Sequence, residues 1–544
     1  MKINQLKAGV ILSYLYVFMQ TVILVFYTPI MLRLLGQSEY GLYSLVYSVV
    51  SYLSILNFGF GSAFVRYYSR YKALGKDDEI DNLNGMFLII FCIIGIISLI
   101  CGSILDLNIE NIFKSNLTVI ELKKAKILVK IMVFNISIMF PSAAFDAIIT
   151  ANEKYIFQKI VKLISVIINP FFVLPLLLMG YKSIALVLVT TFINIFTICV
   201  NIWYCKFKLK AKFKFNKFDF SLIKEIGIFS FFIFLSSIID QINWNVDKFL
   251  LGMYKGTKSV AIYNVAGQVN NFFISISTVV SSVFIPRVNR ISIEKNSREK
   301  FTDLFIKVGR IQFFVIFLFT SGFVIFGKFF ITAWAGVEYE ESYYVLIILI
   351  LSISIPLIQN LGIEILRAID MQVFRTVVYF FIAIVNVILS IYLCQIYGAT
   401  GAAIGTALSL IIGNVCIMNV YYHKKIKLDI IEFWKNIIGI IPSCIPPLLF
   451  AVVITKFYSI DSMIKFLICV ISYTVIFMIS TWYLGLNSFE QDLIRKPMRK
   501  LHALGGRYDK WFRKKRMLWL LFMCRSMSTT GNIDGMWWRR ILVS

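Results

Sequence analysis

The chain has 544 residues, 59% of them hydrophobic, with a mean hydropathy of +0.80 and a formal net charge of +26. Soluble domains are roughly 45–50% apolar, and here apolar runs of about 20 residues, the length that crosses a ~30 Å hydrocarbon core, recur from end to end. That excludes a soluble globular protein. The excess positive charge sits in short connections between the runs, which argues against nucleic acid as its partner.

Taken in order, Lys2 and Lys7 precede an apolar run from Gly9 to about Met31. The run exceeds the ~7–15-residue core of a signal peptide and no small-x-small cleavage site follows, so it is expected to be a retained first span. The second span, about 41–64, ends in Asn-Phe-Gly-Phe-Gly-Ser (57–62) and then Arg66 and Arg70. Further spans are expected at about 85–105, 125–148, 159–179, 184–205, 225–247, 259–286, 304–327, 342–363, 376–396, 403–422, 436–456 and 463–485. The fold class is thus an all-α polytopic membrane protein of about 14 transmembrane helices. Of the 55 Lys and Arg, the connections on the side of the N-terminus hold 40 and those on the other side 12, so both termini are expected in the cytoplasm.

The connections divide the chain into a six-helix lobe (1–205), a basic linker (206–224), a second six-helix lobe (225–422), helices 13 and 14 (423–485) and a basic cytoplasmic tail (486–544). The linker, KFKLKAKFKFNKFDFSLIK, alternates Lys with Phe or Leu and suits an amphipathic element on anionic headgroups. The acidic run KDDEID (76–81) reads as a solvated cytoplasmic loop. Nine cysteines lie mostly within apolar runs without CxxC or metal-type spacing, and both histidines, His423 and His502, sit in basic tracts. No metal or other cofactor is expected.

The two groups of six spans are related. LLGQSEYGLY (34–43) resembles LLGMYKGTKSVAIY (250–263), and Arg66 is mirrored by Arg287. Pro141 matches Pro356, and Ala151, Phe157, Val161 and Asn169 match Ala368, Phe374, Val378 and Asn386 at a constant offset. An even number of spans per copy gives both the same orientation, so the lobes are expected to be related by a pseudo-twofold along the membrane normal with a cavity between them.

LGQSEYGLYSL (35–45), LNFGFGSAFVRYYSRYKALG (56–75) and INWNVDKFLLG (242–252) resemble the polysaccharide transporters, the oligosaccharide (O-antigen-type) flippases of the multidrug/oligosaccharidyl-lipid/polysaccharide exporter superfamily. The resemblance runs to about residue 500; beyond it, 503–544 reads either as a membrane-surface tail or as an extension without function. It implies that an undecaprenyl-pyrophosphate-linked oligosaccharide is moved across the bacterial plasma membrane by alternating access. The implied partners are membrane lipids, glycosyltransferases and a polysaccharide polymerase. It implies no enzymatic activity, and the chain has no GxxxxGK[ST] phosphate loop. A multidrug or toxic-compound cation exporter of the same superfamily is the alternative, though its substrates favour an acidic cavity.

For such a substrate Arg66, Arg70, Arg287 and Arg290, at the inner ends of equivalent spans, are expected to bind the pyrophosphate, because a guanidinium fork forms bidentate charge-assisted bonds. Lys130 would attract the same group after the switch, unless it snorkels to headgroups. Gly59 and Gly61 would loosen the helix before Arg66. Asp240, Asn243 and Asp247 recur at helical spacing, so their face should line a cavity. Asp240 is expected to bind a coupling cation or a sugar, Trp244 to stack on a sugar, and Asp247, nearer the surface, to be structural.

Overall fold

Backbone N–H and C=O groups in hydrocarbon must bond within their own segment, so apolar runs of this length fold as helices. The computed structural model describes residues 5–215, 220–294, 297–493 and 495, and among them there are helices and turns but no strand. The stretch 503–544, with Cys524, lies outside the described residues, as do His502 and four residues of the linker.

The first half holds α1 (Gln5–Leu35), α2 (Gln37–Ser51), α3 (Phe60–Ala73), α4 (Asp77–Phe113), α5 (Val119–Ala151), α6 (Tyr155–Leu178) and α7 (Lys182–Trp203). The second holds α8 (Phe220–Tyr254), α9 (Thr257–Ser282), α10 (Ile285–Ser292), α11 (Ser297–Trp334), α12 (Glu341–Ile358), α13 (Leu361–Ala368), α14 (Gln372–Leu410) and α15 (Met418–Tyr421). α16 (Ile430–Ile438), α17 (Ile441–Phe457) and α18 (Met463–Leu484) follow.

Eleven helical stretches among the described residues are long and apolar enough to cross a membrane, and α9 with α10, bent by 48°, make a twelfth. The expected count of fourteen is not confirmed. The spans expected at 376–396 and 403–422 are two helices that meet without a loop at a kink, Gly398, whose φ of 61° and ψ of −133° only a glycine adopts readily.

The described residues form two compact units, one within 1–438 and 448–474, the other within 439–447 and 475–495. In the second, Ser480 Oγ donates to the Ser443 carbonyl (2.6 Å), Asn487 and Glu490 cap each other (2.9 Å each way), and the Arg495 guanidinium lies 5.4 Å from the Trp482 ring centre. In the first, α4 packs on α5, α1 on α6 and α5 on α7, while α8 packs on α14 and α12 on α9, α11 and α14. The halves meet where α2 lies against α8 and α9. Fully buried Phe64 and Phe87 pack edge to face at 5.0 Å, a geometry that contributes about 0.5–1.5 kcal/mol beyond burial.

Cross-chain contacts sort the connections onto two ends. At one end, hereafter the basic end, Lys72 Nζ bonds Asn152 (2.7 Å), Lys214 Nζ meets Asp78 (2.6 Å), and the Asp429 N–H donates to Thr302 (3.3 Å). At the opposite end the halves are sewn together. Arg33 donates to the Ala333 carbonyl (2.9 Å), Gln37 to Glu338 O (2.7 Å), Asn116 to Met253 O (2.5 Å) and Thr257 Oγ1 to Glu121 (2.8 Å). Gly41 lies so close to the Thr257 carbonyl that a Cβ would overlap it.

The acidic run and the described part of the linker hold each other. Asp77, Asp78 and Glu79 form the first turn of α4, where carboxylates face the positive end of the helix dipole. Across it runs the linker segment 211–215, with Asn84 donating to Lys212 O (3.0 Å) and the Lys214 N–H to Asp81 O (2.9 Å). Gly85 leaves no room for a Cβ beneath it. The Asp78 hydrogen bond raises the pKa of the Lys214 ammonium. The acidic run is thus largely exposed, as expected, but is the first turn of a helix rather than a loop, and linker residues 211–215 dock beside it.

Candidate functional site

Two helices that begin alike, α2 and α9, lead into the short helices that carry the expected arginines. Gly36 (φ 78°, ψ 161°) precedes α2 and Gly256 (φ 79°, ψ −174°) precedes α9, the same backbone at the matched loops. α2 then runs to Ser51, tightens into a 3₁₀ turn (Tyr52–Asn57), and breaks at two left-handed residues, Phe58 (φ 48°) and Gly59 (φ 69°). Gly61 lies inside α3. A Cβ on Gly59 would collide with Ile233 of α8, so the glycine serves both the dihedral and the packing. Beyond the break, α3 carries Arg66 and Arg70 at the basic end, both exposed. α9 breaks at Val283–Phe284, and α10 begins with Pro286 in its first turn and carries Arg287 and Arg290, also exposed. These two lie near Glu294, whose carboxyl is held below its usual range first by Lys300 and then by Arg290 and Arg287. α3 packs on α4, α5 and α8, and α10 on α11 and α13, so the arginine pairs have different neighbours.

The expected face of α8 divides. Asp247 is 1% exposed; Tyr263 of α9 and Thr406 of α14 each donate to its Oδ2 at 2.5 Å. Thr406 also lies 3.2 Å from Asn386 Oδ1, which accepts from Ser390 at 2.9 Å. Asp247 thus ties three helices. Asp240, two turns away, is exposed and with Trp244 lines a cavity of about 180 Å³. Asn243 is half-buried on α8 and is not among the lining residues. Lys130 lies 3.8 Å from Asp106, and that carboxylate offsets its charge.

The cavity lies toward the basic end of the second half. α8 and α12 supply one wall, the start of α14 supplies Arg375 and Tyr379, and the π-helical segment Ile411–Ile417 supplies Asn414. Pro356 near the end of α12 lacks the N–H that would continue the ladder, and a turn at Gln359–Asn360 follows. Two lining amides are already paired: Gln359 with Asn419 (2.8 Å), and Asn360, whose Nδ2 donates to Ser277 (3.2 Å), which in turn donates to the fully buried Gln312 (2.7 Å). Such a network fixes the wall's shape. In the cavity the Arg375 guanidinium sits 4.4 Å from the Tyr379 ring centre, a cation–π geometry, and Tyr379 donates to Asn414 Oδ1 (2.6 Å). Asp240 lines the same cavity as Arg375.

Sequence reasoning missed Arg375, Tyr379 and Asn414. Arg375 entered only as a positive charge in a connection, and nothing in its neighbourhood marks it as facing Asp240. In the first half a smaller cavity, about 60 Å³, is lined by Tyr43, Tyr47 and Asn135 among others. Among the described residues no three His, Cys, Asp or Glu gather as metal ligands would.

The sequence matches the family described as "Polysaccharide biosynthesis protein" over residues 6–292. No curated protein sequence matches it. Among solved structures, the lipid II flippase MurJ in an inward closed conformation is similar at a TM-score of 0.70 and 20% identity, over 89% of this chain and 100% of that one. A multidrug resistance MATE family transporter of the MOP superfamily, inward-facing, gives 0.56 and 15%, over 74% and 99%. A MOP superfamily transporter from Pyrococcus furiosus gives 0.51 and 14%, over 77% and 95%. At these identities the likeness is one of fold.

Proposed function

Because the chain belongs to the polysaccharide biosynthesis protein family, we propose that it is a flippase for a lipid-linked oligosaccharide. In this reading an undecaprenyl-pyrophosphate-linked repeat unit enters from the cytoplasmic, basic end and leaves at the outer face of a bacterial plasma membrane. Glycosyltransferases supply the unit and a polysaccharide polymerase consumes it.

The observation that carries the reading is the placement of Arg66, Arg70, Arg287 and Arg290, all exposed, on the short helices that follow matched breaks. A pyrophosphate offers several acceptor oxygens, and guanidinium forks from the two halves would hold it bidentately. Holding one anion from both sides stabilises the arrangement in which the halves approach at the basic end. The contacts at the opposite end must then part, which is alternating access.

The test is export of surface polysaccharide in cells whose own copy is deleted. Deletion is expected to leave the repeat unit on its lipid at the inner leaflet. Arg66→Ala and Arg287→Ala should each lower export at least about tenfold, the factor for a lost charge-assisted bond of about 1.5–3 kcal/mol, with unchanged membrane insertion. Normal export in both variants removes the proposal. Asp240 in the cavity favours a second reading, export of cationic drugs; dye efflux with intact surface glycans would establish that one instead.

A further inference from the structure

The cavity of the second half has a charge pattern unlike that of the four arginines. Its described lining residues include one cation, Arg375 of α14, and one carboxylate, Asp240 of α8. A diphosphate needs several cations and would be repelled by Asp240. A drug cation would be attracted by Asp240 and repelled by Arg375. A polyol suits both, because each hydroxyl is donor and acceptor: one vicinal pair accepts from the guanidinium fork while its neighbour donates to the carboxylate.

The remaining walls fit the same ligand. Trp244, Tyr379 and Tyr422 line the cavity, and aromatic rings take the C–H face of a pyranose. Asn414 Oδ1 is engaged by Tyr379, which leaves the Nδ2 protons of Asn414 for a ligand. About 180 Å³ is room for roughly six waters at ~30 Å³ each, or one sugar ring. The lining amides Gln359 and Asn360 already have partners in Asn419 and Ser277.

We infer that this cavity is a subsite for one uncharged sugar ring of the translocated oligosaccharide, bridged between Asp240 and Arg375, and separate from the arginines that hold its pyrophosphate. The inference rests on the flippase reading for its biological meaning and on the cavity alone for its binding prediction. The subsite sets which repeat units are carried, while the anchor site accepts any of them.

The experiment uses the full chain purified in detergent and saturation-transfer NMR with the methyl glycosides of glucose, galactose, N-acetylglucosamine and N-acetylgalactosamine. At least one should bind. Asp240→Asn and Arg375→Gln should each weaken it at least about tenfold, the factor for a lost hydrogen bond to a charged group, with thermal melting confirming that each variant folds. Should either misfold, Trp244→Phe replaces it, with weaker binding expected. Neither inorganic pyrophosphate nor ethidium should displace the glycoside. Binding of none of the four, displacement by either competitor, preference for glucuronic acid over every neutral glycoside, or unchanged binding in the variants would overturn the subsite. The two failures are distinguishable: loss of the subsite leaves the Arg66 and Arg287 export phenotypes standing, whereas loss of the flippase reading removes those phenotypes and leaves glycoside binding intact.

Discussion

α2–α3 in the first half and α9–α10 in the second start from the same backbone, glycines at φ 78° and 79°, and end in exposed arginines, yet they break by different means. The break before α10 is local. Pro286 in its first turn has a preset φ and no N–H to orphan, so the chain itself dictates the 48° bend. The break before α3 is not local. Phe58 is a left-handed non-glycine residue, a conformation that costs about 1–2 kcal/mol. It is held because its ring stacks on Phe234 of α8 at 4.5 Å while Gly59 lies against Ile233. The direction of Arg66 therefore depends on a helix of the other half, and that of Arg287 on its own proline.

This contrast breaks most sharply at Gly59. Gly59→Val combines a β-branched residue at φ +69° with a collision against Ile233. It should destabilise the protein by about 3 kcal/mol or more and abolish export; Ile233→Ala should recover part of the melting temperature. An unchanged melt would mean the break is not fastened to α8. Next comes the Asp247 junction of α8, α9 and α14. Thr406→Val removes a donor to buried Asp247 and should cost about 1–3 kcal/mol, read as a lower melting temperature that an Asp247→Asn background no longer shows. Phe234→Ala should cost about 1–2 kcal/mol through the lost ring pair and part of its burial. In export assays it should weaken function through α3 without touching a charge. The smallest effect is expected from Pro286→Ala, within about 1 kcal/mol because proline acts there mainly through the unfolded chain. If Pro286→Ala proves as damaging as Gly59→Val, the two breaks are not different in kind.

Much of this was legible beforehand. Span length and the preference of hydrocarbon for closed backbone bonding made the helices unavoidable, and Phe-Gly-Phe-Gly marked the break, although the dihedral burden falls on Phe58 and Gly59. Periodicity placed Asp240, Asn243 and Asp247 on one face of α8, but a helix face is not one environment. The two carboxylates are seven residues, about 10 Å, apart along the axis, so Asp247 meets Tyr263 and Thr406 while Asp240 meets an open cavity. Arg375 was invisible for the same reason in reverse: its meaning comes from Asp240, 135 positions earlier, and from Asn414 beyond it. The docking of 211–215 on α4 likewise depends on Gly85, whose missing side chain shows only when the two segments meet.

The contact of Gly41 with the Thr257 carbonyl makes the seal at the opposite end main chain against main chain. Larger side chains elsewhere in that seal can shift rotamers to accommodate a change, but a carbonyl in a helix cannot. A single methyl at position 41 would therefore act as a wedge against the sealed arrangement seen here. In the proposed flippase reading, such a wedge would shift the balance toward an arrangement parted at this end, and it would do so without altering the arginines proposed to hold the substrate.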